Sequence, residues 1–192
     1  MSLEQLDDEK LPLKTEHLLH IHLNEYRKLK DEQVTRIVMR EHMIYVTLGI
    51  LGGVSSYALH AGQQYAFLVI PWVCIILGWL YITTDEKVSA IGAYLRHDLS
   101  QKLETLTQAT EGTTLGWETT HRSDKYRVSR KITQILVDLL TFVISGLCAL
   151  LAFWWLQPEM DKIFQVILGI EGVLLIWLGI IITVSTDVKK GR

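Results

Sequence analysis

Catalytic signatures are what this 192-residue sequence most lacks. No CxxC, HExxH, GxSxG or GxxxxGK[ST] pattern occurs, so thiol redox, zinc hydrolysis, serine hydrolysis and P-loop chemistry have no motif support. A non-enzyme with no metal and no cofactor is expected. Cysteine is limited to Cys74 and Cys148, each inside an apolar stretch, where a thiol is a small inert packing group rather than a ligand or disulfide partner. Basic residues are not in excess. A formal charge of −2 provides no dominant cationic face for phosphate backbones, and no nucleic-acid partner is expected. Met1 to Lys14 are acidic and polar with no apolar core, unlike a secretory signal, and with Pro12 they read as a disordered tail over 1–15.

Charge is also missing from four long stretches: Met43 to His60, Tyr65 to Thr84, Thr133 to Leu156 apart from Asp138, and Ile163 to Thr186 apart from Glu171. Crossing ~30 Å of hydrocarbon takes about 20 helical residues, and all four stretches are near that length. The chain therefore reads as an all-α integral membrane protein with four transmembrane helices. Mean hydropathy of +0.23 fits a molecule about half outside the bilayer. Of the 19 Lys and Arg residues, all but Lys162 precede Met43, lie between Asp85 and Ile132, or follow Asp187. That asymmetry predicts cytoplasmic termini and a cytoplasmic central segment. The outer loops, Ala61 to Gln64 and Gln157 to Lys162, are too short for anything but tight hairpins over 43–84 and 133–186. Recognition is then expected from the cytoplasm, through residues 16–42, 85–132 and 187–192. Trp154, Trp155 and Tyr65 are placed at the outer interface, Tyr45 and Tyr81 at the inner one, and Trp72, Trp79 and Trp177 in helix contacts.

Both longer cytoplasmic segments carry helical periodicity. Thr15 is a candidate N-cap for a helix over 16–42, with Leu19, Leu23, Tyr26, Leu29, Ile37 and Ile44 near one stripe. Thr83 and Glu86 have capping-box spacing, implying a new helix or a bend. Val88, Ile91, Leu95, Leu99, Leu103 and Leu106 follow at steps of three or four, a stripe that must pack on the first helix, another subunit or the membrane surface. This amphipathic helix should end near Gln108, before the Thr/Gly-rich stretch 109–116. Tyr26-Arg27 recurs as Tyr126-Arg127, and Thr84-Asp85-Glu86-Lys87 as Thr186-Asp187-Val188-Lys189. Duplication explains this, and so does the general preference of inner interfaces for these residue types.

Asp138 and Glu171 are the sharpest signals, because an ionisable group in hydrocarbon costs at least ~2.5–3.5 kcal/mol. They lie at different depths of antiparallel helices, so they should not pair. Glu171 on an oligomer axis would form a carboxyl ring that favours cations, whereas a Glu bonded to a neighbouring helix would merely specify packing. Asp138 is near enough the inner interface to reach water or Lys131. Gly49 with Gly53, and Ser145 with Ala149, have the small-xxx-small spacing of close helix packing. Pro71 implies a kink in the second span. Arg122, Lys125, Arg127, Arg130 and Lys131 form the most basic stretch, suited to anionic lipid or to a phosphorylated ligand such as a signalling nucleotide. His17 and His20 share a helix face, which by itself gives no metal site.

The order helix, two spans, cytoplasmic helix, seen twice, resembles the SLATT-type small membrane modules of bacterial conflict systems, as do Glu25-Tyr26-Arg27-Lys28-Leu29-Lys30 and Gly78-Trp79-Leu80. The resemblance implies a bacterial inner-membrane effector that opens pores when its cytoplasmic part is engaged. Four spans rather than one pair is a departure from that pattern. The expectation is a homo-oligomeric pore or ion leak controlled by the cytoplasmic helices. The alternative is a non-conducting anchor that docks a cytosolic protein. Membrane lipids are partners in both.

Overall fold

The structure, a computed structural model, describes the backbone of residues 3–110 and 127–185 and the side chains of 15–110 and 128–185. The described residues are helical apart from short turns, with no strand among them. Helix α1 spans Leu3–His60; a 3-10 turn, Gln64–Leu68, leads into α2, Val69–Tyr94. A π-helical turn, Leu95–Leu99, continues into α3, Ser100–Thr107. After the break come α4, Arg127–Asp138, a second π turn, Leu139–Ile144, α5, Ser145–Leu156, and α6, Lys162–Ser185. Four of these continuous helical segments are long and apolar enough to cross a membrane.

The chain divides into two packed units, one within Met1–Arg36 and Lys87–Lys125, the other within Ile37–Glu86 and Tyr126–Gly191. The first unit has a leucine ladder as its core. Leu95, Leu99 and Leu103 are buried against Leu19, Tyr26, Leu29, Ile91 and Tyr94, so the second stripe packs on the first helix of the same chain. Leu23, expected on that stripe, is instead 38% exposed, because His22 and Gln33 share the inward face with Leu19, Tyr26 and Leu29. Gln33 donates to the Val88 carbonyl at 3.4 Å, and the Tyr94 hydroxyl donates to Glu25 at 2.7 Å. α3 ends at Thr107 on a left-handed Gln108, whose neighbour Ala109 bonds back to the Glu104 carbonyl at 3.2 Å.

The second unit packs in two layers. One holds Ala58, Phe67, Ile70, Cys74, Ala149, Leu150, Phe153 and Leu175; the other holds Tyr81, Ile82, Phe142, Val143, Leu178 and Ile182. Two glycines let the helices approach closely. A Cβ at Gly78 would lie 2.8 Å from Leu178, and one at Gly146 would lie 2.9 Å from Leu175. The outward faces carry Leu48, Val69, Ile76, Leu151, Val173, Ile180 and Val184, all more than half exposed. A continuous apolar surface of that kind calls for lipid contact.

Several local expectations change. Helical backbone begins at Leu3 and runs through Thr15, which is therefore no N-cap. α2 runs through Thr83 and Thr84 unbroken, both hydroxyls donating back to the Leu80 carbonyl (3.0 and 2.8 Å) instead of capping a new helix. Pro71 lies in the first turn of α2, where a missing N–H disturbs no intrahelical bond, so it provides no mid-span kink. Tyr81 is 4% exposed, an interior residue rather than an interface anchor. Trp72, Trp79 and Trp177 are each nearly half exposed, with Trp79 and Trp177 stacked on one another at 5.7 Å.

Candidate functional site: two enclosed carboxyls

Asp138 stands at the end of α4, directly before the π turn, and is 3% exposed. π turns inside α-helices shift side-chain register locally and recur at functional sites. Tyr81, from α2, interacts with the Asp138 carboxyl through its hydroxyl and accepts a hydrogen bond from Gln134 Nε2 at 3.3 Å. Arg40, from α1, forms an ion pair with Asp85, one turn beyond Tyr81 on α2. The Arg40 guanidinium also lies 5.6 Å from the Tyr81 ring centre, a cation–π contact. The charges of Arg40 and Asp85 are close enough to act on Asp138. Beside them is a cavity of about 10 Å³, lined by Tyr81, Ile82, Asp85, Glu86, Asp138, Ile182 and Ser185. Thus α1, α2, α4 and α6 all contribute to one polar cluster. One oxygen of Asp138, Oδ1, has no hydrogen-bond partner among the described residues.

Glu171 has a different setting. It is fully buried on α6, on the same face as Leu175, Leu178 and Ile182. Neither carboxyl oxygen has a hydrogen-bond partner among the described residues, and the Trp72 indole acts on it from outside hydrogen-bond geometry. Because its own chain encloses it, Glu171 in this arrangement faces no neighbouring subunit.

The small-residue pairs also separate. Ala149 is 5% exposed, and the Ser145 hydroxyl lies 3.6 Å from Cys74 Sγ, so this part of α5 meets α2. Around Gly49 and Gly53, and Gly52 beside them, a Cβ would meet nothing within 4 Å. Of the basic stretch, Arg122, Lys125 and the Arg127 side chain lie outside the described residues. Arg130 is exposed and Lys131 half-buried at the start of α4. Among the described residues no three His, Cys, Asp or Glu side chains converge as a metal site.

Arg40, Tyr81, Asp85 and Gln134 were missed in the sequence. A signal for them exists: Tyr81 and Asp85, and likewise Gln134 and Asp138, are spaced i,i+4 at the ends of apolar runs, which puts each pair on one helix face.

Length, composition and packing define a helical protein with four candidate membrane spans and two carboxyls enclosed among them. No protein-family model, curated protein or solved structure matches the chain.

Proposed function

We propose that the chain is a homo-oligomeric protein of a bacterial inner membrane, built of two transmembrane hairpins with both termini and the central 85–132 segment in the cytoplasm. Its cytoplasmic helices control an ion-permeable assembly, in the manner of the SLATT-type effectors it resembles. Glu171 carries this reading. A carboxyl with neither oxygen bonded contributes nothing to packing that Leu would not, and it costs ~2.5–3.5 kcal/mol or more in hydrocarbon. A role in moving charge accounts for it. Enclosure by its own chain favours a conduit through the interior of each subunit over a carboxyl ring on a shared axis. The open Gly49-Gly52-Gly53 face supports association with a second copy.

Purified protein in liposomes tests the reading. Ion flux is expected, and Glu171→Gln should change its rate or selectivity. Liposomes that stay tight with the full-length chain, alone or after cytoplasmic stimulus, contradict it. The second reading, a non-conducting anchor, draws on Leu18 and Ile21, which are exposed one turn apart on the first unit and offer an apolar contact for a cytosolic protein. Leu95, Leu99 and Leu103 are already covered by α1 and offer no such face.

A further inference from the structure

We infer that the Arg40–Tyr81–Asp85–Asp138 cluster is a proton-loading site and that the ion moved is the proton; this rests on the ion-permeable reading above. Exposure falls in steps across the cluster. Glu86 is exposed, the Arg40 and Asp85 side chains are 21% and 24% exposed, and Asp138 is 3% exposed. The cavity lined by Glu86, Asp85 and Asp138 has about 10 Å³, room for a single water and nothing larger. Asp138 lines that cavity and has one unpartnered oxygen, the acceptor a water there would satisfy.

The size of the cavity facing Asp138 selects against a metal cation. Arg40 comes from α1, Asp85 and Glu86 from α2, and the remaining polar groups, Tyr81, Gln134 and Ser185, are neutral. Arg40 is paired with Asp85, so the half-buried carboxylate of the cavity is already neutralised, and Glu86 stands exposed at its solvent side. A hydrated Na⁺ or K⁺ would have to shed its shell in a one-water cavity beside a guanidinium. A proton needs neither room nor a coordination shell. In the loading step, the cavity water, protonated from solvent past Glu86, gives one proton to Asp138 Oδ1. An O–H bond forms on the carboxylate, one breaks on the hydronium, and neutral water remains. Tyr81 lines the same cavity and acts on the carboxyl through its hydroxyl.

The test uses the full-length chain in liposomes with an internal pH dye, a valinomycin-set potassium potential, and parallel measurement of sodium uptake. Proton flux without sodium uptake is expected. Asp138→Asn should lower proton flux by at least about tenfold, the scale of losing a positioned proton carrier, and Tyr81→Phe by less. Sodium uptake with a proton flux indifferent to Asp138→Asn overturns the inference but leaves the ion-permeable reading intact. No flux of any ion overturns that reading and the inference with it. Infrared difference spectra of the wild type, taken across a pH titration, guard against a misfolded variant. A carboxylic-acid C=O band that grows on acidification and is absent in Asp138→Asn supports the loading step, and no such band in the wild type contradicts it.

Discussion

Asp138 and Glu171 are both buried in the same helical unit, but their neighbourhoods differ. Asp138 has Tyr81 and Gln134 beside it, an Arg40–Asp85 ion pair within electrostatic reach and a water-sized cavity against it. Glu171 shares a helix face with Leu175, Leu178 and Ile182 and has no hydrogen-bond partner for either oxygen among the described residues. A carboxyl built into a polar network is part of the fold's hydrogen bonding, and removing it strands its partners. An isolated carboxyl is a cost carried by the rest of the fold, and removing it relieves that cost.

Opposite signs of stability change follow, and they are the largest effects expected. Glu171→Leu should leave stability unchanged or raise it by ~1–4 kcal/mol, the range seen when buried ionisable groups give way to packed apolar ones. Asp138→Leu should lower it by ~1–3 kcal/mol, because the buried Tyr81 hydroxyl loses the carboxyl it interacts with. Reversible unfolding of helicity in mixed micelles measures both, and equal losses would erase the distinction drawn between the two acids.

The glycines sharpen the same unit next. Gly146→Ala pushes a methyl to 2.9 Å from Leu175 and should cost about 1–3 kcal/mol of overpacking. Gly49→Ala meets nothing within the chain and should be neutral or stabilising by up to ~1 kcal/mol through helix propensity. The same Gly49→Ala should weaken self-association in cross-linking, if that face meets a second copy. Arg40→Ala should have a smaller effect, ~1 kcal/mol, because the pair with Asp85 is part-exposed and screened.

The smallest effect belongs to the other unit. The Tyr94 hydroxyl bond, with His22 beside it, holds the Glu25 carboxyl below its usual range. A carboxyl depressed on folding stabilises fully above the ordinary carboxylate range, and that contribution is lost as pH falls through the depressed value. Amide protection around Leu19–Leu29, taken relative to the intrinsic exchange rate at each pH, should therefore fall at acid pH. Tyr94→Phe should flatten that pH dependence, at a cost below about 1 kcal/mol because Glu25 is largely solvated.

The contrast between the two acids was half legible in the sequence. Apolar runs interrupted by one charge each are visible without any structure, and so is the Leu95–Leu99–Leu103 stripe, because both depend on spacing along one helix. Which residues face Asp138 depends on the rotation of α1, α2 and α6 about their axes, set by close contacts such as Gly78 with Leu178. Spacing along the chain offers Asp138 water or Lys131; Arg40, nearly a hundred positions away, is the cation whose charge acts on it. Leu23 shows the same limit on a smaller scale, since its place on a broad stripe did not reveal that His22 would take the inward position.

The central claim, four crossings with the Asp138 cluster at the cytoplasmic end, is tested most directly by labelling single cysteines in intact cells. In a chain with Cys74 and Cys148 replaced by Ala, a membrane-impermeant maleimide should reach Gly62→Cys and Glu159→Cys from outside. Glu86→Cys should react after the membrane is opened and not before. Labelling of Glu86→Cys in sealed cells, with Gly62→Cys and Glu159→Cys protected, would contradict the account.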